Sequence, residues 1–82
     1  MTNLPTLRVD SSIVLPDNNQ WRFRIEIQSE SSNRLYVVAQ NIKKKHFSCS
    51  CPGYITKRKC KHLEALGLPC YEKPHEVIFI KE

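Results

Sequence analysis

Alternating apolar and polar residues mark the middle of the chain. Residues 21–28, WRFRIEIQ, carry an apolar side chain at every second position. Because successive side chains of a strand point to opposite faces, this alternation predicts a half-buried β-strand with one apolar face. Residues 35–39, LYVVA, are typical of a second strand, and the polar segment 29–33 between the two predicts a hairpin. The residues predicted to share the apolar face are Trp21, Phe23, Ile25 and Ile27.

Three further runs predict shorter strands. One covers residues 12–15 and is followed by the turn-prone segment 16–19, PDNN. Another covers residues 46–49, HFSC, and the dense apolar run VIFI at residues 77–80 predicts a buried closing strand. Together with the first two strands, these runs predict a small sheet.

One short helix is predicted in the last third of the chain. It starts near Cys60, buries Leu63 and Leu66, and stops at Gly67. We expect Leu68, just beyond that glycine, to pack back on Leu63 as in a Schellman ending. A helix of about seven residues is far too short to be stable alone, since isolated helices need about 12–15 residues. An anchor in its first turn is therefore expected.

These elements predict one small α+β domain spanning residues 1–82: an antiparallel sheet, a ligand-bearing loop, one short helix and a C-terminal strand. A composition of 40% hydrophobic and 26% charged residues is ordinary for a folded globular protein. A chain of this size buries only roughly 60–65% of the surface that its unfolded form exposes. Something besides an apolar core is therefore expected to stabilise the fold.

Four candidate metal ligands fall in two closely spaced pairs, Cys49-x-Cys51 and Cys60-x-His62. Residues two apart in a strand point the same way, so Cys49 and Cys51 can reach one ion. Residues two apart in a regular helix lie about 200° apart around its axis. Cys60 and His62 can therefore share an ion only if Cys60 lies in the turn that enters the helix. Three thiolates and one imidazole suit one tetrahedral zinc ion.

A zinc ion with four protein ligands has no open position for water or substrate, so the predicted role of the metal is structural. No nucleophile arrangement and no Gly-rich phosphate loop is evident in the sequence. We therefore expect no enzyme activity and no small-molecule substrate.

The alternative to a metal site is a set of buried thiols that only pack. Cys70 is expected to be such a small buried residue rather than a further ligand. His46, three residues before Cys49, falls on the opposite face of the strand and is expected at the surface. His75 is expected to face solvent. The pairs Cys49-x-Cys51 and Cys60-x-His62 thus remain the only ligand set predicted.

No run of about 18 apolar residues is present, and the first twenty residues lack the apolar segment of a signal peptide. The sequence therefore predicts an intracellular protein, cytoplasmic or nuclear, with no membrane partner. In such a reducing compartment cysteines favour metal binding or free thiols over disulfides.

The ligand pairs resemble the signature of SWIM-type zinc fingers, in which Cys-x-Cys and Cys-x-His are separated by a variable spacer. The similarity covers residues 21–68 and includes Pro-Gly-Tyr after the first pair and Lys-His-Leu within the second. It implies a β-hairpin followed by a short helix around one zinc ion, here in a small stand-alone member. Cys49, Cys51, Cys60 and His62 are then the ligands. Members of this family are mostly modules of larger proteins, with proposed roles in DNA binding or protein interaction.

Positive charge is concentrated around the same loop. Between Ser31 and Leu63 the chain has eight basic residues and no acidic one, so this segment carries a charge of +8. The rest of the chain carries −3, which gives the net charge of +5. Such a patch suits binding to a phosphate backbone. The alternative is that the lysines offset the net −1 of a Cys3His zinc site and keep the protein soluble. The candidate nucleic-acid contacts are Lys43, Lys44, Lys45, Lys57, Arg58, Lys59 and Lys61.

Two classes of function follow from these features. The first is a non-catalytic zinc module that binds nucleic acid, DNA in the first instance, as an accessory factor of a larger machine. The second is an adaptor in a multi-protein assembly, without nucleic-acid contact. Tyr36 and Tyr54 either stack on bases or pack in the core and the ligand loop.

Overall fold

The computed structural model describes residues 4–28 and 33–82 of the chain. The strands are β1 (Thr6–Val9), β2 (Val14–Leu15), β3 (Trp21–Gln28), β4 (Leu35–Asn41), β5 (Phe47–Cys49) and β6 (Ile78–Lys81). The helices are α1 (Pro52–Lys57) and α2 (Lys61–Ala65), and a 3-10 turn (Ser11–Ile13) precedes β2. The α+β class is thus confirmed, with two short helices where the sequence predicts one.

Strands β2, β3, β4 and β5 form one antiparallel sheet in that order. The pairing of β3 with β4 confirms both strands of the predicted hairpin, whose turn at residues 29–32 lies outside the described residues. Residues Ile25, Val38 and Phe47 come from three neighbouring strands and are completely buried. The centre of this sheet is therefore one wall of the core.

A β-bulge breaks the predicted alternation of β3. The register with β4 shifts between Arg22 and Ile25, and Phe23 adopts a left-handed backbone conformation, with φ of 53°. Arg22, not Trp21, therefore lies on the face of Ile25, and its Nε donates to the Oε1 of buried Gln40 at 2.7 Å. The prediction that Trp21 shares the apolar face is wrong because one extra residue reverses the side-chain order.

Strand β6 pairs in parallel with β1 and forms a separate two-stranded sheet. Its Phe79 stacks on Phe23, with 4.5 Å between ring centroids, while Ile78 is 49% exposed. The closing strand is confirmed, but the prediction that it is buried is wrong, because Val77, Phe79 and Ile80 are half-buried and Ile78 is exposed. Among the described strands β6 pairs only with β1, so it lies at an edge instead of between neighbours.

The core joins β1 to the central sheet and to both helices. Its apolar members other than cysteines are Leu7, Val9, Ile25, Val38, Phe47, Tyr54, Leu63 and Leu68.

Within the described part of the chain, no helix is long and apolar enough to cross a lipid bilayer.

His46 is buried, with 6% of its surface exposed, so the prediction of a surface position is wrong. It does lie on the opposite face from the buried side chains of β5. Its ring is nearly perpendicular to that of Trp21, with 6.0 Å between ring centroids, and residue 46 forms a β-bridge with Pro74. His75, predicted to face solvent, is half-buried, and its ring lies 6.4 Å from that of Phe47. The chain before β6 therefore covers positions that the sequence pattern leaves open.

Candidate metal centre

The first ligand pair lies where β5 ends. Cys49 pairs with Val38 across the sheet, and the next residue, Ser50, is held by two hydrogen bonds to the backbone of Val37. Cys51 is the N-cap of α1 and is still extended, with φ −72° and ψ 154°. Because the chain stays extended from Cys49 to Cys51, both side chains point the same way, as predicted.

Helix α1 fills the spacer between the pairs. Pro52 occupies its first turn, where a proline loses no helical hydrogen bond, and Arg58 ends it in a left-handed conformation with φ 59°. Tyr54 is 4% exposed, and its hydroxyl donates to the carbonyl of Phe47 at 3.2 Å. Tyr54 therefore packs in the core and is not available to stack on bases.

The second pair lies at the start of α2. Cys60 is the N-cap and is fully extended, with φ −152° and ψ 159°, while His62 is in the first turn. The thiol sulfur of Cys60 accepts a hydrogen bond from the N–H of Leu63 at 3.4 Å. This arrangement confirms that Cys60 precedes the regular helix, which is the condition for both residues to face one ion.

A Schellman ending closes α2 as predicted. Gly67 has φ 73°, its N–H donates to Glu64 at 3.0 Å, and the N–H of Leu68 donates to Leu63 at 2.9 Å. Leu63 is completely buried and Leu68 is 6% exposed, so the two leucines anchor both sides of the turn in the core. Leu66, predicted to be buried, is half-buried.

The four ligand atoms of Cys49, Cys51, Cys60 and His62 all lie within 4.8 Å of one another; we call these residues the metal cluster. The Sγ of Cys49 is 3.5 Å from the Nδ1 of His62. Two ligands of a tetrahedral zinc ion are about 3.5–3.8 Å apart for the usual Zn–S and Zn–N bond lengths. The four residues therefore lie close enough to bind one metal ion. Cys70 and His46 do not belong to the cluster.

Burial destabilises the deprotonated form of the cysteines in this cluster unless a cation is bound. The three cysteines of the cluster are at most 8% exposed. Burial raises the pKa of the Cys49 thiol far above its ordinary value, and it also raises the pKa of the Cys60 thiol. A bound metal cation reverses this preference because it stabilises the deprotonated sulfur directly. The donor set and its burial therefore fit a soft divalent metal ion.

An open groove lies beside the metal cluster and includes Cys51, Cys60 and His62 in its lining. Three lysines line it, Lys57, Lys59 and Lys61. Its other lining residues are Ile27 and Gln28 of β3, Tyr36 of β4, Pro52, Gly53, Ala65 and Leu66. None of the described lining residues is acidic, so the groove combines positive charge with apolar surface.

Arg58, the remaining predicted contact in this segment, does not line the groove. Its Nε lies 3.2 Å from a carboxylate oxygen of Glu72, and one of its terminal nitrogens donates to the carbonyl of Ile55 at 2.9 Å. Arg58 therefore caps the end of α1 and links it to the segment around Glu72, which follows α2.

The other three predicted contacts lie elsewhere. Lys43, Lys44 and Lys45 are in the turn between β4 and β5, before β5 begins, whereas the metal cluster starts at its last residue, Cys49. The N–H groups of Lys43 and Lys44 both donate to Asn41 Oδ1, and Lys45 has a φ of 63°. The two lysine clusters therefore lie at opposite ends of β5, and Lys43, Lys44 and Lys45 do not line the groove.

Comparisons of this chain with protein-family models, with curated proteins and with solved structures each find no match. The class of protein rests on the fold and the cluster: a small α+β domain with three cysteines and one histidine placed to bind one metal ion.

Proposed function

We propose that this chain is a non-catalytic zinc module of the SWIM type that binds nucleic acid. Zinc is the metal that best matches a tetrahedral set of three thiolates and one imidazole. Four protein ligands leave the ion no open position, so its role is structural. The spacing of Cys49, Cys51, Cys60 and His62 and their positions at one strand end and two helix starts support the SWIM-type assignment.

A structural role for zinc explains how the helices form. Helices α1 and α2 have only six and five residues, well below the length at which an isolated helix is stable. Zinc binding in small peptides supplies about 10–16 kcal/mol near neutral pH, comparable to the net stability of a whole domain. The ion would join the end of β5 to the starts of both helices. Its thiolate ligands stay reduced in the cytoplasm or nucleus, where we propose that the protein acts.

The observation that carries nucleic-acid binding is the lysine-lined groove beside the metal cluster. Lys59 and Lys61 flank Cys60 in the chain, so a metal that fixes Cys60 also fixes the backbone of both lysines. Lys59 pairs with Glu64 at 3.8 Å, but both side chains are more than half exposed, and such pairs are weak. The three lysines are therefore available to phosphates. The net charge of a Cys3His zinc site, −1, offsets only part of the positive charge of the three lysines.

A salt titration tests this proposal. Zinc-loaded protein is titrated with duplex and with single-stranded DNA and RNA at two salt concentrations. Three phosphate contacts predict a log–log slope of about −2 to −3. The variant Lys57→Gln/Lys59→Gln/Lys61→Gln should bind at least tenfold more weakly, while Lys43→Gln/Lys44→Gln/Lys45→Gln, at the other end of β5, also removes three charges and serves as the charge-matched surface control. A flat salt slope, or equal losses in the two variants, would argue against the groove.

The second candidate is an adaptor that docks on a partner protein within a larger assembly. The half-exposed Ile78 on edge strand β6 favours it, because an edge strand offers unpaired backbone groups to another chain. Copurification from the native source, carried out with wild type and with Ile78→Lys, distinguishes the adaptor function from nucleic-acid binding. A partner retained by wild type and lost by Ile78→Lys, with a flat salt slope for nucleic acid, would favour the adaptor.

A further inference from the structure

The groove beside the metal cluster contains an aromatic side chain as well as lysines. Tyr36 of β4 is half-buried, lines the groove, and pairs across the sheet with Ile27, which also lines it. Leu66, at the end of α2, adds a further apolar lining residue. Phosphate contacts alone make no use of such a surface, because a phosphate backbone is recognised by charge and hydrogen bonds.

Tyr36 is held in place at its backbone and at its ring. Its backbone pairs with that of Ile27 in β3. The imidazole of His62 lies 5.5 Å from it between centroids, tilted by 43°. Because His62 is itself a member of the metal cluster, a bound metal also fixes the position of this neighbour. The tyrosine is thus a preorganised aromatic surface, which lowers the entropic cost of binding a flat partner.

We propose that the groove binds single-stranded nucleic acid, with one base stacked on Tyr36 and the adjacent phosphates on Lys57, Lys59 and Lys61. This inference rests on the proposed function, since the same lysines supply the phosphate contacts. A duplex keeps its bases stacked inside and presents mainly phosphates and groove edges, whereas a single strand offers the face of each base. A site that combines cations with a half-buried aromatic ring lining an open groove is matched to the single strand.

Stacking and charge can be separated with an abasic oligonucleotide, which keeps the phosphates and removes the bases. Binding of zinc-loaded wild-type protein to fluorescein-labelled 12-nucleotide oligothymidine is compared by anisotropy with binding to an abasic strand of the same length. One stacked base predicts roughly tenfold tighter binding of oligothymidine. Equal affinities for the two strands would overturn the inference. A 12-base-pair duplex bound more tightly than oligothymidine would overturn it as well.

Variants of Tyr36 locate the stacking surface. Tyr36→Leu should lose roughly tenfold in affinity for oligothymidine and nothing for the abasic strand, and Tyr36→Phe should retain both. Tyr71, 58% exposed and outside the groove, provides the matched control Tyr71→Leu. Zinc content and thermal midpoint are measured for every variant to verify folding, and the abasic comparison uses wild-type protein in any case.

The outcomes distinguish this inference from the proposed function. If the triple glutamine variant loses binding while oligothymidine and the abasic strand bind equally, the phosphate contacts stand and base stacking fails. If no oligonucleotide binds wild type in a salt-dependent way, the proposed function itself fails. If, in addition, a partner protein binds tightly in the same groove without salt dependence, the groove is a protein-docking site. Nucleic-acid binding and base stacking on Tyr36 are then both overturned.

Discussion

The central sheet and the helical segment that follows it reach order by different routes. Strands β3 and β4 pair directly at six positions and bury Ile25 and Val38 completely between neighbouring strands. The helical segment, residues 50–68, has two helices of six and five residues, and it buries Tyr54, Leu63 and Leu68 together with two cysteines. Backbone pairing specifies the sheet locally. The helical segment depends on side chains that converge from separate positions, and the metal cluster is where they converge.

The largest expected effect comes from removing one ligand. Cys60→Ser should lower the free energy of unfolding by more than about 4 kcal/mol, because one ligand of the proposed structural metal site is lost. Serine is itself a good N-cap residue, so the substitution leaves α2 capped and the loss reports the metal site. Thermal unfolding with zinc analysis measures the loss, and hydrogen exchange should show it first in residues 50–68. Cys70→Ser, a half-buried cysteine outside the cluster, is the control and should change stability by less than about 1 kcal/mol. Equal stability and full zinc content in both variants would contradict a structural metal.

The apolar contact between the two regions comes next in size. Leu63 is completely buried although it belongs to a five-residue helix. Leu63→Ala should cost about 2–5 kcal/mol in denaturant unfolding, because the cavity forms in a core that both regions share. Leu35→Ala, at a strand position that is 57% exposed, should remain within about 0.5 kcal/mol of wild type. If Leu63→Ala matched that control, the two regions would be joined by the metal alone.

A smaller effect is expected where the helical segment ends. Gly67 has φ 73°, and a Cβ there would meet no atom within 4 Å, so the cost of Gly67→Ala is conformational only. It should be about 1–2 kcal/mol, the price of a left-handed L-residue. At Gly53 a Cβ would make ordinary contacts, the nearest 3.5 Å from the carbonyl of Lys59, so Gly53→Ala should be neutral or slightly stabilising. A reversed order of the two thermal midpoints would contradict the left-handed assignment.

The smallest effect lies outside both regions, at the turn between β1 and β2. Asp10 accepts a hydrogen bond from the N–H of Ser12 at 2.9 Å, and this bond holds the pKa of the carboxyl below its usual value of 3.8. Because the folded-state pKa is the lower one, the charged carboxylate stabilises the fold at any pH above the unfolded-state pKa. This contribution is lost as the pH falls through the folded-state pKa. Wild type should therefore be slightly more stable than Asp10→Asn at pH 7.

The difference between wild type and Asp10→Asn should shrink as the pH falls below 3.8, the ordinary value for aspartate. Urea unfolding of both proteins at each pH measures it, and any loss of metal in acid is common to both. A difference that grew in acid would contradict the sign.

Local sequence patterns predict five of the six described strands and the ligand set, because each depends on residues close in sequence. Strand β1 was not predicted, because its four residues are ordered by pairing with β6 at the other end of the chain. The extended Cys60 before α2 and the Schellman contact of Leu68 follow from stereochemistry alone. The bulge at Phe23 does not, because nothing in an alternating run marks where an extra residue enters. Helix α1 was missed because PGYITK has a glycine, two β-branched residues and one buried side chain, so that only Pro52 in its first turn signals a helix.

The remaining errors concern residues whose surroundings are set by distant parts of the chain. His46 is buried by Trp21 and the Pro74 segment, neither of which is near it in sequence. Buried Gln40 is satisfied in the same way, since its Nε2 donates to the carbonyls of Lys45 and His75. The placement of Lys57, Lys59 and Lys61 along the groove also depends on distant parts of the chain, because β3 and β4 supply part of the groove's lining.

Lysines alternate with ligands in the short run Lys59, Cys60, Lys61, His62. A partner that fixes these lysines would also fix the backbone that carries two donors of the metal cluster. Thermodynamic linkage then requires reciprocity: whatever factor the metal adds to the affinity for that partner, the partner adds to the affinity for the metal. The chelator concentration that removes half of the ion at equilibrium would thus report occupancy of the groove, and the metal affinity of the cluster would serve as an internal measure of partner binding.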